Sequence, residues 1–159
     1  MPHTGSLKGG TMQNRHNNDF RVLFVYPNTM MATLLPINIS LLHACLREKG
    51  FDTRLFDTTF YQTEKINFEL KKVDLLQIKK FSYKDTGIRF KETDLFSDIN
   101  DLIGSYRPDL IAYTLVQDTF LLARQIIEKI KHWHIPIIAG GVFTTFCPED
   151  VIAVDGIRF

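Results

Sequence analysis

Short apolar runs alternate along the chain with segments in which apolar residues recur at helical spacing. The first run, RVLFVY at 21–26, is continuous, which is typical of a parallel strand covered on both faces. The next segment predicts a helix that ends at Gly50, because its apolar residues share one helical face: Leu35, Ile39, Leu42 and Leu46. On this helix, Cys45 is expected to be a small core residue and His43 to be exposed.

The same alternation continues to the end of the chain. Further strands are predicted at 52–57, 109–114, 135–139 and 155–159. Two further helices are marked by apolar residues at helical spacing, between 95 and 103 and between 122 and 130. Strands that alternate with helices in this way specify a parallel sheet with right-handed crossovers. The predicted fold is therefore α/β, with a doubly wound, flavodoxin-like (Rossmann-like) sheet of five parallel strands.

Polar residues before the two later helices predict where each helix begins. Thr93 or Asp94 is the expected N-cap of the first, and Asp118 or Thr119 is the expected N-cap of the second. Each of these side chains can accept a hydrogen bond from the free N–H groups of a first helical turn.

One domain accounts for most of the 159 residues. Residues 1–19 are polar and unpatterned, so they are expected to form a disordered tail before an α/β domain at 20–159. Residues 58–91 are rich in aromatic residues and lysine; they are interpreted as an insertion that covers a sheet edge, or as a docking element for a neighbouring module. The closing C-terminal helix is expected to be missing, and the polypeptide to be the front part of a longer protein.

Composition and charge argue against several function classes. Hydrophobic residues make up 45% and charged residues 23%, and the net charge of +1 provides no broad field for nucleic acid. Two cysteines cannot supply an iron–sulfur cluster or a four-cysteine zinc site, and no metal site is predicted. No apolar run approaches the roughly 20 residues of a membrane span. No apolar signal-peptide core precedes the first strand, so a cytoplasmic location is expected.

Ligands of open parallel sheets bind outside the carboxyl ends of the strands, near the point where strand order reverses. The loops expected there cover 27–34, 115–119 and 140–146. The first loop has neither the glycines of a dinucleotide fingerprint nor a P-loop lysine. It also lacks the paired acids of a phosphate-receiving regulator domain. These absences point away from the common phosphate-containing ligands.

Two glycines and several polar groups remain as candidate chemistry at this edge. Adjacent glycines, Gly140 and Gly141, let a ligand approach the backbone closely, although an ordinary turn is the alternative. The polar groups expected nearby are Thr114, Gln117, Asp118 and Thr119. Helix capping is the alternative explanation for the last two.

Four segments occur in the order found in one family of cofactor-binding domains. They are RVLFVYP at 21–27, LPINISLLHACLREKG at 35–50, PDLIAYT at 108–114 and IAGGVFTTFCPE at 138–149. The last contains Gly-Gly-x-x-x-Thr-x-x-Pro-Glu. On these segments, residues 20–159 resemble the N-terminal cobalamin-binding domain of cobalamin-dependent radical S-adenosylmethionine enzymes.

The resemblance also implies how cobalt is ligated. Cobalamin domains of the methionine-synthase type carry D-x-H-x-x-G, then S-x-L, then Gly-Gly. Here Thr114, Leu115 and Val116 fall where S-x-L would lie, and Gly140-Gly141 follows, but the first loop has no histidine. The cofactor is therefore expected to be base-off, without a histidine as lower ligand.

By the same resemblance, Thr114 would accept the nucleotide tail and Gly140-Gly141 would give it backbone clearance. Met30 or Met31 is expected beneath cobalt. The expected cofactor-binding set is Asn28, Thr29, Met30, Pro36, Thr114, Val116, Gln117, Asp118, Thr119, Gly140, Gly141, Val142, Phe143 and Thr144. In that set Asn28, Thr29 and Pro36 would line the underside of the corrin, and the residues from 117 to 119 would bond to its peripheral amides.

The resemblance implies a cobalamin-binding module of a larger radical S-adenosylmethionine enzyme, a methyltransferase acting on an unactivated carbon. This chain has no C-x-x-x-C-x-x-C motif, so the iron–sulfur cluster and S-adenosylmethionine are expected only in a separate catalytic module, and no residue here is expected to be catalytic. Cobalamin and that module are the expected partners, with neither nucleic acid nor membrane. The alternatives are a non-catalytic interaction or regulatory domain and a flavin-binding flavodoxin-like domain.

Overall fold

The computed structural model describes residues 19–29, 36–61, 75–76, 87 and 89–158. Within these ranges the strands are β1 (Arg21–Tyr26), β2 (Asp52–Asp57), β3 (Leu110–Thr114) and β4 (Ile137–Gly140). The helices are α1 (Ile37–Glu48), α2 (Leu95–Tyr106), α3 (Gln117–Ile130), α4 (Val142–Phe146) and α5 (Pro148–Ile152). A single 3₁₀ turn, Lys131–Trp133, follows α3.

The four strands form one parallel sheet in the order β2-β1-β3-β4. This architecture confirms the predicted α/β fold with a parallel, Rossmann-like sheet. The predicted fifth strand is not confirmed, because residues 155–158 contribute only an isolated parallel bridge between Ile157 and Ile137. Gly156 has φ of +104°, and Ile157 N–H donates to the carbonyl of Val154 over 3.2 Å, so this segment turns instead of extending.

One face of the sheet carries the main hydrophobic core. There α2 and α3 pack onto alternate residues of β1, β3 and β4. The fully buried members include Leu23, Val25, Ile99, Ile103, Ile111, Ile126, Ile127 and Ile137. This face has the layered packing that the apolar periodicity predicts.

Among the described residues, α1 is the helix that covers the opposite face. Of the α1 residues only Ile39 is buried, while the side chain of Leu42 is 52% exposed. Cys45 is exposed, so its assignment to the core was wrong. His43 is half-buried and not exposed, because its Nδ1 lies 2.5 Å from the hydroxyl of Thr53 on β2. Among the described residues, no helix has the length and apolarity to cross a membrane.

One of the two predicted helix starts is correct. Asp94 caps α2, with its carboxylate accepting from the Ser97 N–H over 2.8 Å. The N-cap of α3 is Val116, with no side-chain hydrogen bond, so neither Asp118 nor Thr119 has this role. Thr119 is buried, and its hydroxyl donates to the Val116 carbonyl over 3.2 Å. The helix begins directly from extended backbone, before the polar residues are reached.

Most of the predicted insertion, at 62–74, 77–86 and 88, lies outside the described residues, as do residues 1–18 of the predicted tail at 1–19. The two ends of the insertion are joined by a parallel bridge between Tyr61 and Lys91. The Lys91 ammonium donates to the Tyr61 phenol over 3.0 Å, and the phenol donates to Asp98 over 2.6 Å. Asp98 also accepts from the hydroxyl of Thr93 over 2.6 Å. These contacts fasten both ends of the segment to the start of α2.

Replacing Tyr61 with phenylalanine should change how stability depends on pH. Burial, and then the hydrogen bond to Asp98, raise the pKa of the Tyr61 phenol above its ordinary value of 10.0. The folded chain therefore holds this proton more tightly, so its contribution is complete below about pH 10 and is lost as pH rises further. Tyr61→Phe should lower the free energy of unfolding by about 1–2 kcal/mol at pH 7 through the lost hydrogen bond, and should make its decline above pH 10 shallower.

Urea unfolding followed by circular dichroism at neutral and alkaline pH measures both effects. The free energy of unfolding still declines somewhat at alkaline pH in the variant, because two other tyrosines are affected in the same way. Burial raises the pKa of Tyr113, and burial together with the Asp52 charge raises the pKa of Tyr106 to about 12. Identical slopes for wild type and variant above pH 10 would contradict the assignment.

Candidate functional site at the carboxyl edge of the sheet

The loops after β1, β3 and β4 meet at one edge of the sheet, because parallel strands end on the same side. Adjacent strands are in register there, with Val25 opposite Tyr113 and Thr114 opposite Gly140. Strand order reverses between β1 and β3. From β1 the chain passes to β2 on one side, and then returns to β3 on the other side of β1. A crevice for a ligand is expected at such a reversal.

Asn28 and Thr29 are both buried directly after β1, with 2% and 8% of their surface exposed. The Asn28 amide donates to the Thr59 hydroxyl over 2.9 Å, and the Thr58 hydroxyl donates to the Asn28 carbonyl over 2.8 Å. The exits of β1 and β2 are thereby tied together. Pro36 is the N-cap of α1, and Met30 lies outside the described residues, as does Met31.

The two glycines after β4 have different environments. Gly141 has φ of +104°, and a Cβ there would lie 2.6 Å from the Leu115 carbonyl oxygen and 3.2 Å from Thr114 Oγ1. A Cβ on Gly140 would meet no atom closer than the Tyr113 carbonyl oxygen at 4.0 Å. Gly141 is therefore required by the close approach of two loops, whereas Gly140 leaves open space at the edge of the sheet.

The first turn of α3 and helix α4 frame this edge. Gln117 and Asp118 are exposed there, whereas Thr119 is turned inward. Two apolar side chains are also exposed, Val116 at 47% and Val142 at 62%. The remaining predicted residues of α4 face inward: the Phe143 ring packs 4.6 Å from that of Phe120, and the Thr144 hydroxyl is buried.

A groove of about 440 Å³ runs beneath this edge, on the α1 face of the sheet. Thr114 and Gly140 lie at its carboxyl end, while Phe20 and Leu110 lie near the amino ends of the strands, so it follows the full strand length. Its other lining residues are Val22, Phe24, Ile39, Leu42, Leu46, Phe51, Ala112, Tyr113, Ile138 and Ala139. The lining is almost entirely apolar.

The sequence predicted the carboxyl end of this groove, at Thr114 and Gly140, but neither its apolar lining nor one polar residue beside it. The Asn38 amide, in the first turn of α1, donates to Thr114 Oγ1 over 2.6 Å. The strand residues that line the groove form its floor. Alternation along β1, β3 and β4 could have placed this floor on one face of the sheet, because its residues are two apart along each strand: Val22 and Phe24, Leu110 and Ala112, and Ile138 and Gly140. No sequence signal shows that a groove remains between α1 and the sheet.

Three buried hydroxyl oxygens in the described chain have no hydrogen-bond partner: those of Thr29, Tyr113 and Thr144. Each lies on a segment that ends at or follows the carboxyl edge of a strand. Burying a hydroxyl without a partner is costly, so such groups call for an explanation. A polar ligand at this edge could satisfy groups of this kind. No cluster of three or more His, Cys, Asp or Glu side chains suited to a metal ion occurs within the described ranges.

Two solved structures of TsrM, a radical S-adenosylmethionine methyltransferase from Kitasatospora setae, are similar to this chain. The structure with tryptophan substrate and the SAM analog aza-SAM bound has a TM-score of 0.54 and 19% identity, over 80% of this chain and 20% of that chain. The structure with cobalamin and a 4Fe–4S cluster bound has a TM-score of 0.47 and 19% identity, over 80% and 21% of the respective chains. This chain therefore spans about a fifth of the length of TsrM, and the likeness shows the fold alone.

No curated protein matches the chain. The profile of the family described as B12 binding domain matches residues 28–159, which include β2, β3 and β4 and begin two residues after the end of β1. The matched range contains the three strand-end loops and most of the groove lining. On this match, the chain belongs to the B12-binding domain family.

Proposed function

We propose that this chain is the cobalamin-binding module of a larger radical S-adenosylmethionine enzyme, which transfers a methyl group to an unactivated carbon. The observation that carries the proposal is the apolar groove that opens at the carboxyl edge of the sheet in a chain of the B12-binding family. When bound, cobalamin supplies the cobalt centre at which the transferred group is exchanged. The chain's own residues bind, orient and shield the cofactor.

The groove suits a detached nucleotide tail. A benzimidazole base is flat and mostly apolar, and the floor offers Val22, Phe24 and Ala112 as an apolar surface. The entrance lies between Thr114 and Gly140, where the missing Cβ of Gly140 leaves clearance. The position of Thr114 and Gly140 at this entrance supports their assignment to the tail, whereas Gly141 does not line the groove.

The edge itself suits a corrin. A corrin ring is apolar across its plane and carries amides around its periphery, so it needs both apolar contact and hydrogen bonds. Val116 and Val142 present exposed apolar side chains, and Gln117 and Asp118 lie on the adjacent exposed turn. The unpartnered Thr29 and Thr144 hydroxyls are further groups that could bond to the ligand.

The lack of a histidine in the sequence of the loop after β1 supports base-off binding. Residues 27–35, which include the loop after β1, contain no histidine. His43, the next histidine along the chain, is held against Thr53 between α1 and β2. No imidazole of the first loop is then available below cobalt, so the protein contributes shape and apolar surroundings in place of a lower ligand.

The parent enzyme is inferred from the order of sequence segments and from the fold. The chain resembles the cobalamin domain of radical S-adenosylmethionine enzymes in sequence order, and it shares a fold with part of one methyltransferase, TsrM. Its two cysteines cannot hold an iron–sulfur cluster, so we assign the cluster and S-adenosylmethionine to a separate module. In this arrangement the present chain has no catalytic residue.

Hydroxocobalamin mixed with the chain should remain bound through gel filtration. The expected result is a coloured protein peak whose visible absorption spectrum corresponds to cobalamin with its benzimidazole detached from cobalt. A colourless protein peak would count against the proposal and would favour the non-catalytic interaction domain. A coloured peak with the free-cofactor spectrum would contradict only the base-off part.

The two glycines provide a matched pair of variants. Gly140→Ala should leave urea unfolding unchanged and lower cobalamin affinity by about tenfold or more, because the new methyl group occupies groove space. Gly141→Ala should instead lower the free energy of unfolding by about 1–3 kcal/mol, because φ is positive and a Cβ would collide with Leu115. Unchanged cobalamin affinity in Gly140→Ala would place the ligand elsewhere.

A further inference from the structure

One hydrogen bond spans the groove at the carboxyl edge, from the Asn38 amide on α1 to Thr114 Oγ1 at the end of β3. We propose that Asn38 is a positioning residue that directs the hydrogen of the Thr114 hydroxyl towards the nucleotide tail of bound cobalamin. This inference rests on the proposed function and deepens it, because it assigns to Asn38 the recognition of one part of the ligand.

The direction follows from the chemistry of the two groups. An amide N–H can only donate, so the Thr114 oxygen accepts from Asn38 and the hydroxyl hydrogen remains available. Within the described residues, the Thr114 hydroxyl makes no second hydrogen bond. Thr114 also lines the groove, next to Gly140. Its hydroxyl hydrogen can therefore be donated to a ligand in the groove.

The surroundings make such a donor valuable. Of the described residues that line the groove, only Thr114 and Tyr113 carry hydroxyls, and the Tyr113 side chain packs into the core on the other face of the sheet. A polar acceptor that enters an apolar groove loses its water, which is unfavourable unless a donor replaces it. Thr114 is thus the side-chain donor that the groove lining offers to the tail.

The position of Asn38 also suits this role better than a role in its own helix. The N-cap of α1 is Pro36, and no side chain caps this helix. Asparagine has low propensity for helical positions and usually bonds to its own backbone near helix starts. Asn38 instead reaches a different element, whereas Ser40, two residues later, bonds back to the Pro36 carbonyl over 3.1 Å. Ser40→Ala therefore serves as the matched control.

The test compares two ligands, cobalamin and cobinamide, which has the corrin but lacks the nucleotide. Asn38→Ala should weaken cobalamin binding about five- to tenfold, the effect of one hydrogen bond, and leave cobinamide binding within about twofold of wild type. In a Thr114→Val background, Asn38→Ala should add no further loss. In a Thr114→Ser background, which keeps the hydroxyl, its effect should return. Ser40→Ala should bind both ligands as wild type does.

Affinities come from absorption titrations, with urea unfolding of each apo variant as a check that the fold is retained. Equal losses for cobalamin and cobinamide, or additive losses with Thr114→Val, would overturn the role of Asn38. If Thr114→Val weakens cobalamin binding but Asn38→Ala does not, the inference fails and the proposed function stands. If the wild-type chain binds neither ligand, the proposed function fails and the inference fails with it.

Discussion

The unequal cover of the sheet is the constraint on which the site depends. On one face, α2 and α3 bury alternate residues of β1, β3 and β4, and this packing holds the strand ends in register. On the other face Ile39 is the one buried residue of α1, and a groove remains between the described part of α1 and β1, β3 and β4, where Val22, Phe24 and Ala112 are themselves buried. The first face supplies rigidity, and the second supplies an apolar space that a ligand can fill. Each apolar atom of the ligand that is buried there stabilises the complex.

The fold was largely predictable because periodicity reports burial. Apolar runs identified β1, β3 and β4, the more polar segment at 52–57 was also predicted as a strand, and helical spacing identified α1, α2 and α3. The fifth strand failed because Gly156 adopts positive φ and turns the chain, which its apolar neighbours do not reveal. The start of α3 failed because Val116 caps it through backbone geometry, without a polar signal. Cys45 failed because helical periodicity does not show how much of a helix face the sheet covers.

The candidate site was predictable in outline and not in detail. The reversal of strand order and the resemblance located the three loops, and Thr114 and Gly140 both lie at the entrance of the groove. The two glycines looked alike in sequence, yet only the structure separates Gly141, which Leu115 crowds, from Gly140, which faces open space. Asn38 was missed because a contact between the first turn of one helix and a strand 76 residues later leaves no local pattern.

A crystal structure of the chain with cobalamin tests the central claim most directly. Electron density for the nucleotide is expected between α1 and the sheet, with the base over β1 and β3 and the corrin across the strand ends. Density for a base coordinated to cobalt, or for a corrin bound away from this edge with the groove filled by side chains, would contradict it.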